Sequence, residues 1–168
     1  PMEQEGTYPL PGAQLDRFLL EIDVTYPSRD AERRILIETT GAEERQPAAI
    51  MTAEALTNAQ RLVRRLPVGE SVVEAILDLV RSARPGSEGN ASVADKLLWG
   101  PGPRASQALM LAVRARALIE GRVAPSIADV VALAEPVLKH RMALTFAARA
   151  DGETIPGVIA RLTERLRS

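Results

Sequence analysis

The sequence has no cysteine, one histidine and, among its 168 residues, only one tryptophan, two tyrosines and two phenylalanines. Without cysteine, disulfides, thiolate metal sites and cysteine nucleophiles are excluded. With His140 alone, neither a histidine-based zinc site nor a Ser–His–Asp triad has its parts. Lysine is scarce too: Lys96 and Lys139 stand alone and neither follows a glycine, so a Gly-Lys phosphate-binding loop is missing. No apolar run approaches ~18 residues and no signal peptide is visible, so a cytoplasmic protein without membrane insertion is expected.

What is present is aliphatic. Hydrophobic residues make up 46 % of the chain, and with so few rings a core must be built from Leu, Ile, Val and Ala. That composition favours helix packed on helix over a β-sandwich. The net charge is −1, but residues 1–103 hold 11 basic and 16 acidic side chains while residues 104–168 hold 10 and 6. The basic C-terminal third suits a nucleotide or a neighbouring subunit; its scattered arginines are thin support for nucleic acid.

In chain order, residues 1–14 have loop composition. Leu19 to Tyr26 then alternates, with Leu20, Ile22, Val24 and Tyr26 on one face, which predicts a β-strand ended by Pro27. A lone strand leaves its ladder unpaired, so its sheet must lie elsewhere. Together with Pro1 in place of an initiator methionine, this suggests a piece of a longer chain. From Ser28 the pattern is helical. Helices are expected over 28–40 and 52–66, with Ser28 and Thr52 as caps, and over 70–83, burying Val73, Ile76, Leu77 and Val80. Another is expected over 103–120, burying Ala108, Leu111, Ala112, Ala115, Leu118 and Ile119. Two more are expected from Ser126, interrupted at Pro136, and from Thr154 to Arg167.

Two stretches carry chemistry. In Trp99-Gly100-Pro101-Gly102-Pro103-Arg104-Ala105-Ser106, Gly102 sits at an N-cap and Pro103 at the first helical position, which puts Arg104 in the first turn. A cation there is unfavourable unless an anion shares the site, so the corner suits phosphate; otherwise Arg104 points into water. The second stretch, Glu3-Gln4-Glu5-Gly6-Thr7-Tyr8-Pro9-Leu10-Pro11 followed by Ala13-Gln14-Leu15-Asp16-Arg17-Phe18, holds an arginine that either pairs with Asp16 or Glu21 or acts outward.

Gly-Pro-Arg-Ala-Ser at a helix start resembles the sensor 2 motif of AAA+ ATPases, most closely the MoxR family, with Gly102 where a serine is more usual. The N-terminal stretch resembles the segment that follows sensor 1 in that family, with Gly12 in place of a common glutamate. The resemblance extends over nearly the whole chain and includes Asp129 to Arg141. It implies a mainly α fold, a helical-bundle lid domain of an AAA+ ATPase over 28–168, preceded by a short α/β remnant with one strand over 1–27. It further implies that Arg104 is nucleotide-binding, reaching the γ-phosphate from the lid, and that Arg17 is catalytic, an arginine finger acting on the adjacent subunit's ATP. ATP and Mg²⁺ are the implied cofactors of the full-length protein. No metal ligand is expected in this chain, and without Walker A and B the piece is not expected to hydrolyse ATP alone. The implied partners are further copies in a ring, expected to be hexameric, a von Willebrand factor A-domain protein, and a client enzyme complex that is matured or loaded with metal.

Other residues read as structural. Trp99 is expected to anchor its loop in the core, and His140 to be packed or to sit favourably at a helix end. The rival to the ATPase reading is a non-enzymatic helical interaction module with no use for Arg104. A nucleic-acid-binding helical domain is a third, which the near-neutral charge disfavours.

Overall fold

The computed structural model describes residues 12–41, 48–86 and 91–167. Most of the N-terminal motif therefore lies outside the described residues, as does part of the segment between Pro85 and Asn90, which has loop composition. Helices dominate, as expected. The described residues fall into two compact units, one formed by residues 12–21 with 62–86 and 91–167 and the other by residues 22–41 with 48–61.

The smaller unit holds α2 (Arg29–Thr39) and most of α3 (Ala53–Arg65). Both begin where their caps predict: Ser28 Oγ accepts from Ala31 N at 3.3 Å and Thr52 Oγ1 from Ala55 N at 3.1 Å. The expected strand at Leu19 to Tyr26 is corrected. Residues 20–28 carry no ladder partner among the described residues, and Ile22, Val24 and Tyr26 are exposed. Alternation fits a segment for a sheet, but a strand exists only where another edge supplies its hydrogen bonds.

The larger unit is the bundle. Its helices are α4 (Glu70–Ser82), α6 (Pro103–Ile119), α7 (Ile127–Leu138) and α9 (Ile155–Glu164), with short α1 (Gly12–Leu15), α5 (Ala91–Ala94) and α8 (Phe146–Ala150) around them. Helix α6 packs on α4 and α7, and α7 on α9. The core is aliphatic: Ile76, Leu79, Leu109, Val113, Val137, Leu138 and Ile159 are all nearly or fully enclosed. Each such side chain contributes roughly 1.5–3 kcal/mol by leaving water.

The faces differ from expectation in detail. Helix α4 buries Val72 and Leu79, with Val73 at its edge and Leu77 exposed. Helix α6 buries Ala105, Leu109, Val113 and Ala117 beside the expected Ala108 and Ala112; Ile119 is exposed and Leu111, Ala115 and Leu118 are half-buried. Apolar residues on nearly every side of α6 let its neighbours, not its own pattern, choose the face. Pro136 lies inside α7, which continues to Leu138 before a 3₁₀ turn over Lys139–Arg141.

The sequence pattern did not reveal a two-stranded antiparallel ladder. Strand β1 (Leu97–Trp99) pairs with β2 (Ala143–Leu144), with Leu97 opposite Leu144 and Trp99 opposite Ala143. Glu153 then links this ladder region to α9, pairing with Lys96 and with Arg161 at 2.6 Å. Among the described residues no helix is long and apolar enough to cross a membrane.

Candidate functional site

The loop between β1 and α6 is fixed by backbone contact. A Cβ on Gly100 would lie well inside contact distance of the Ala83 carbonyl oxygen, 3.0 Å from Arg84 Cα and 3.1 Å from Ala83 C. Every one of those atoms is main chain at the end of α4, so nothing flexible can yield. Arg84 clamps the same loop by donating from Nε to the Pro101 carbonyl at 3.1 Å. Gly100→Ala is therefore expected to cost about 1–3 kcal/mol and to lower Tm by several degrees, read by thermal denaturation. An unchanged Tm would show that the loop is free to move.

From this fixed loop α6 starts as the residue types predict, with Gly102 at the N-cap, Pro103 in the first turn and no side-chain cap. Arg104 follows, its side chain 54 % exposed, with an ion pair from Nε to Asp16 Oδ2 at 4.0 Å. Asp16 comes from the turn after α1, and Arg17 stands next to it. Arg17 is exposed and makes no ion pair among the described residues. The expected alternatives for Arg17, pairing with Asp16 or Glu21, are not what is seen: Asp16 faces Arg104 and Arg141, and Glu21 faces Lys139 and His140. Arg17, Arg104, Asp16 and Arg141 line one open cleft of about 490 Å³ with Gln107 and Leu111. The two arginines singled out by sequence are thus brought together.

Arg141 is the residue sequence missed. Its side chain is 2 % exposed, and it makes several hydrogen bonds to the incoming segment. Nε donates to Asp16 Oδ1 at 3.0 Å and Nη2 to the Asp16 carbonyl at 3.1 Å; the Phe18 and Val137 carbonyls also accept from it. Next to it, His140 is packed, as expected. Its Nε2 lies 3.3 Å from the Phe18 carbonyl. A carbonyl can only accept, so the neutral ring carries its proton on Nε2. Burial, and then the Arg141 charge, push the His140 pKa below its usual value, against the Phe18 carbonyl and Glu21. A neutral His140 does not add to the cleft's positive charge at pH 7.

Trp99 departs from expectation: it is 39 % exposed and anchors no core. It faces Gly12, where an added Cβ would stand 3.8 Å from the indole. Together with Asp16, Gly100, Gly102 and Arg141 these two line a cavity of about 310 Å³ beside the α6 start. Among the described residues no group of three metal-ligating side chains occurs.

The arrangement can bind an anion. Gly102, at the uncapped start of α6, lines the smaller cavity, while the accessible Arg104 lines the larger cleft, where a planar cation at the positive end of a helix dipole suits phosphate oxygens.

The family model of the AAA lid domain matches residues 90–162, which run from the segment before β1 through most of α9. The crystal structure of a candidate ATPase from Cytophaga hutchinsonii superposes with a TM-score of 0.90 at 29 % identity, covering 98 % of this chain and 50 % of that one. Chaperone MoxR1 of Mycobacterium tuberculosis is 36 % identical over 160 residues, which is 95 % of this chain and 42 % of that protein. Protein MoxR of Paracoccus denitrificans is 31 % identical over 156 residues, 86 % of this chain and 46 % of that protein. The similarity to MoxR proteins thus runs over 86–95 % of this chain. The chain spans about half the length of these relatives.

Proposed function

We propose that this chain supplies the lid and the finger-bearing segment of an ATP-driven, chaperone-like ring ATPase, with residues 1–27 ending the α/β core and residues 28–168 forming the lid. The exposed Ile22, Val24 and Tyr26 then have a place against the core sheet. The carrying observation is the exposed Arg104 in the uncapped first turn of α6, on one cleft with Arg17.

ATP fits this corner through its γ-phosphate. When bound, the nucleotide supplies a phosphoanhydride whose cleavage spreads negative charge over the γ-phosphate oxygens. Arg104 would hold those oxygens from the lid by charge-assisted hydrogen bonds, while Gly100 and Arg84 keep its loop in place. Arg17 would offer its guanidinium to the nucleotide of the neighbouring copy, which makes activity depend on assembly. Mg²⁺ and the attacking water would be held by the core. The cycle drives work on a client complex, metal insertion among it, with a von Willebrand factor A-domain partner and a hexameric ring as the forms proposed.

The test is Arg104→Ala in the full-length protein. Removing a donor aimed at developing charge is expected to lower ATP turnover by about 10²-fold, with the bundle's melting and ring assembly unchanged. Turnover equal to wild type would sink the sensor role and promote the helical interaction module.

A further inference from the structure

Asp16 divides its carboxylate between two arginines of different character. Oδ1 is 3.0 Å from Nε of Arg141, which is buried and also holds the Asp16 main-chain carbonyl. Oδ2 is 4.0 Å from Nε of Arg104, whose side chain is half exposed. One partner is therefore fixed and the other is held by a long, solvent-screened pair that a stronger anion can displace. The same carboxylate neutralises the unfavourable charge of a cation in the first turn of α6.

Resting on the ATPase reading, we infer that Asp16 is a positioning residue, a stand-in anion that holds Arg104 at the cleft until a γ-phosphate replaces it. Arg141 keeps Asp16 in place during the exchange. ATP has to displace this contact to engage Arg104, whereas ADP, lacking the γ-phosphate, leaves it intact. Asp16 thereby sets how strongly the protein prefers ATP over ADP.

The experiment measures ATP and ADP affinity in a hydrolysis-deficient form of the full-length protein, comparing wild type with Asp16→Asn, Asp16→Glu, Arg104→Ala and the Asp16→Asn/Arg104→Ala pair. Asp16→Asn retains an acceptor for Arg141 and is expected to raise the ATP-to-ADP preference about two- to fivefold, the range of an exposed ion pair, with ADP affinity unchanged. Asp16→Glu should restore the wild-type ratio, and the double variant should match Arg104→Ala alone. If Arg104→Ala lowers the preference and Asp16→Asn leaves it as in wild type, the role of Asp16 is overturned while the sensor stands. If Arg104→Ala itself leaves the preference unchanged, the sensor reading fails first. Should the amide unseat Arg141 and lower Tm, Asp16→Ser repeats the comparison with a smaller uncharged acceptor. Equal losses of ATP and ADP binding in both variants would reduce Asp16 to a structural role.

Discussion

On the proposed function, mixing full-length Arg17→Ala subunits with subunits that cannot bind ATP is expected to restore turnover that neither possesses alone. In a ring of head-to-tail contacts, each ATP is held by one subunit and met by the next. The Arg17→Ala subunit still binds nucleotide, and its neighbour still carries Arg17. With random mixing in equal amounts, about a quarter of contacts combine the two intact halves, so roughly a quarter of the wild-type rate is expected. Arg17→Ala alone should lose about 10³-fold or more, the usual worth of an arginine finger. The control is Arg104→Ala mixed in the same way. A residue acting on its own subunit's ATP gains nothing from such a neighbour, so that mixture should stay near its unmixed rate. The shared cleft makes the comparison decisive. Arg17 and Arg104 line one space in a single chain, and if both served one nucleotide the two mixtures would behave alike. Equal behaviour would remove the assignment of Arg17 to the neighbour, and an Arg17→Ala protein with wild-type turnover would remove the finger altogether.

The two arginines were singled out by the family resemblance of the motifs that hold them; local chemistry placed Arg104 in the first turn of α6 but left its role, and that of Arg17, open. Helix starts were legible from local signals alone: Ser28, Thr52, Gly102, Ser126 and Thr154 all stand at observed N-caps or just before the helices they predict. What escaped was whatever depends on a distant partner. Arg141 reads as one more charge in a basic third of the chain, yet its buried guanidinium meets a carboxylate 125 residues away. No periodicity reports such a pairing. Strand Leu97–Trp99 and its two-residue partner are too short to alternate visibly, whereas the well-alternating Leu19 to Tyr26 lacks a ladder among the described residues. Alternation measures fitness for a sheet, and the sheet itself is a separate condition. The buried face of α6 was misjudged because Leu111 and Ile119 are as apolar as Leu109 and Val113, so only the packing of α4 and α7 separates them.

Asp129→Asn is expected to cost about 2–3 kcal/mol at pH 7, a penalty that halves near pH 3. Helix α6 ends in a Schellman turn: Gly121 takes a φ of 72°, Arg122 N donates to the Ala117 carbonyl at 2.8 Å and Gly121 N to the Leu118 carbonyl at 3.0 Å. That turn aims Arg122 at the start of α7. There Nη1 and Nη2 grip the Asp129 carboxylate at 2.8 and 2.7 Å, Arg116 approaches it at 3.2 Å, and Ser126 N donates to it at 2.7 Å. The carboxylate is 4 % exposed. The Arg122 hydrogen bonds above all, with Ser126 adding to them, outweigh burial and hold its pKa at about 2. A pKa depressed on folding stabilises the native state fully above the unfolded value near 4 and loses that effect as pH falls through 2. Asparagine keeps the shape but removes the charge, so wild type and variant should differ most at neutral pH and converge in acid. Denaturant unfolding from pH 7 to pH 3 reads this directly; a difference that does not change with pH would mean that shape, not charge, joins α6 to α7. Arg104 lies at the other end of α6, beyond reach of the lost carboxylate. Above the variant's melting range, turnover in the full-length protein falls with the folded fraction, and below it turnover stays at wild type. A turnover loss in the fully folded variant would show that the α6–α7 corner governs the position of Arg104 as well as the stability of the bundle.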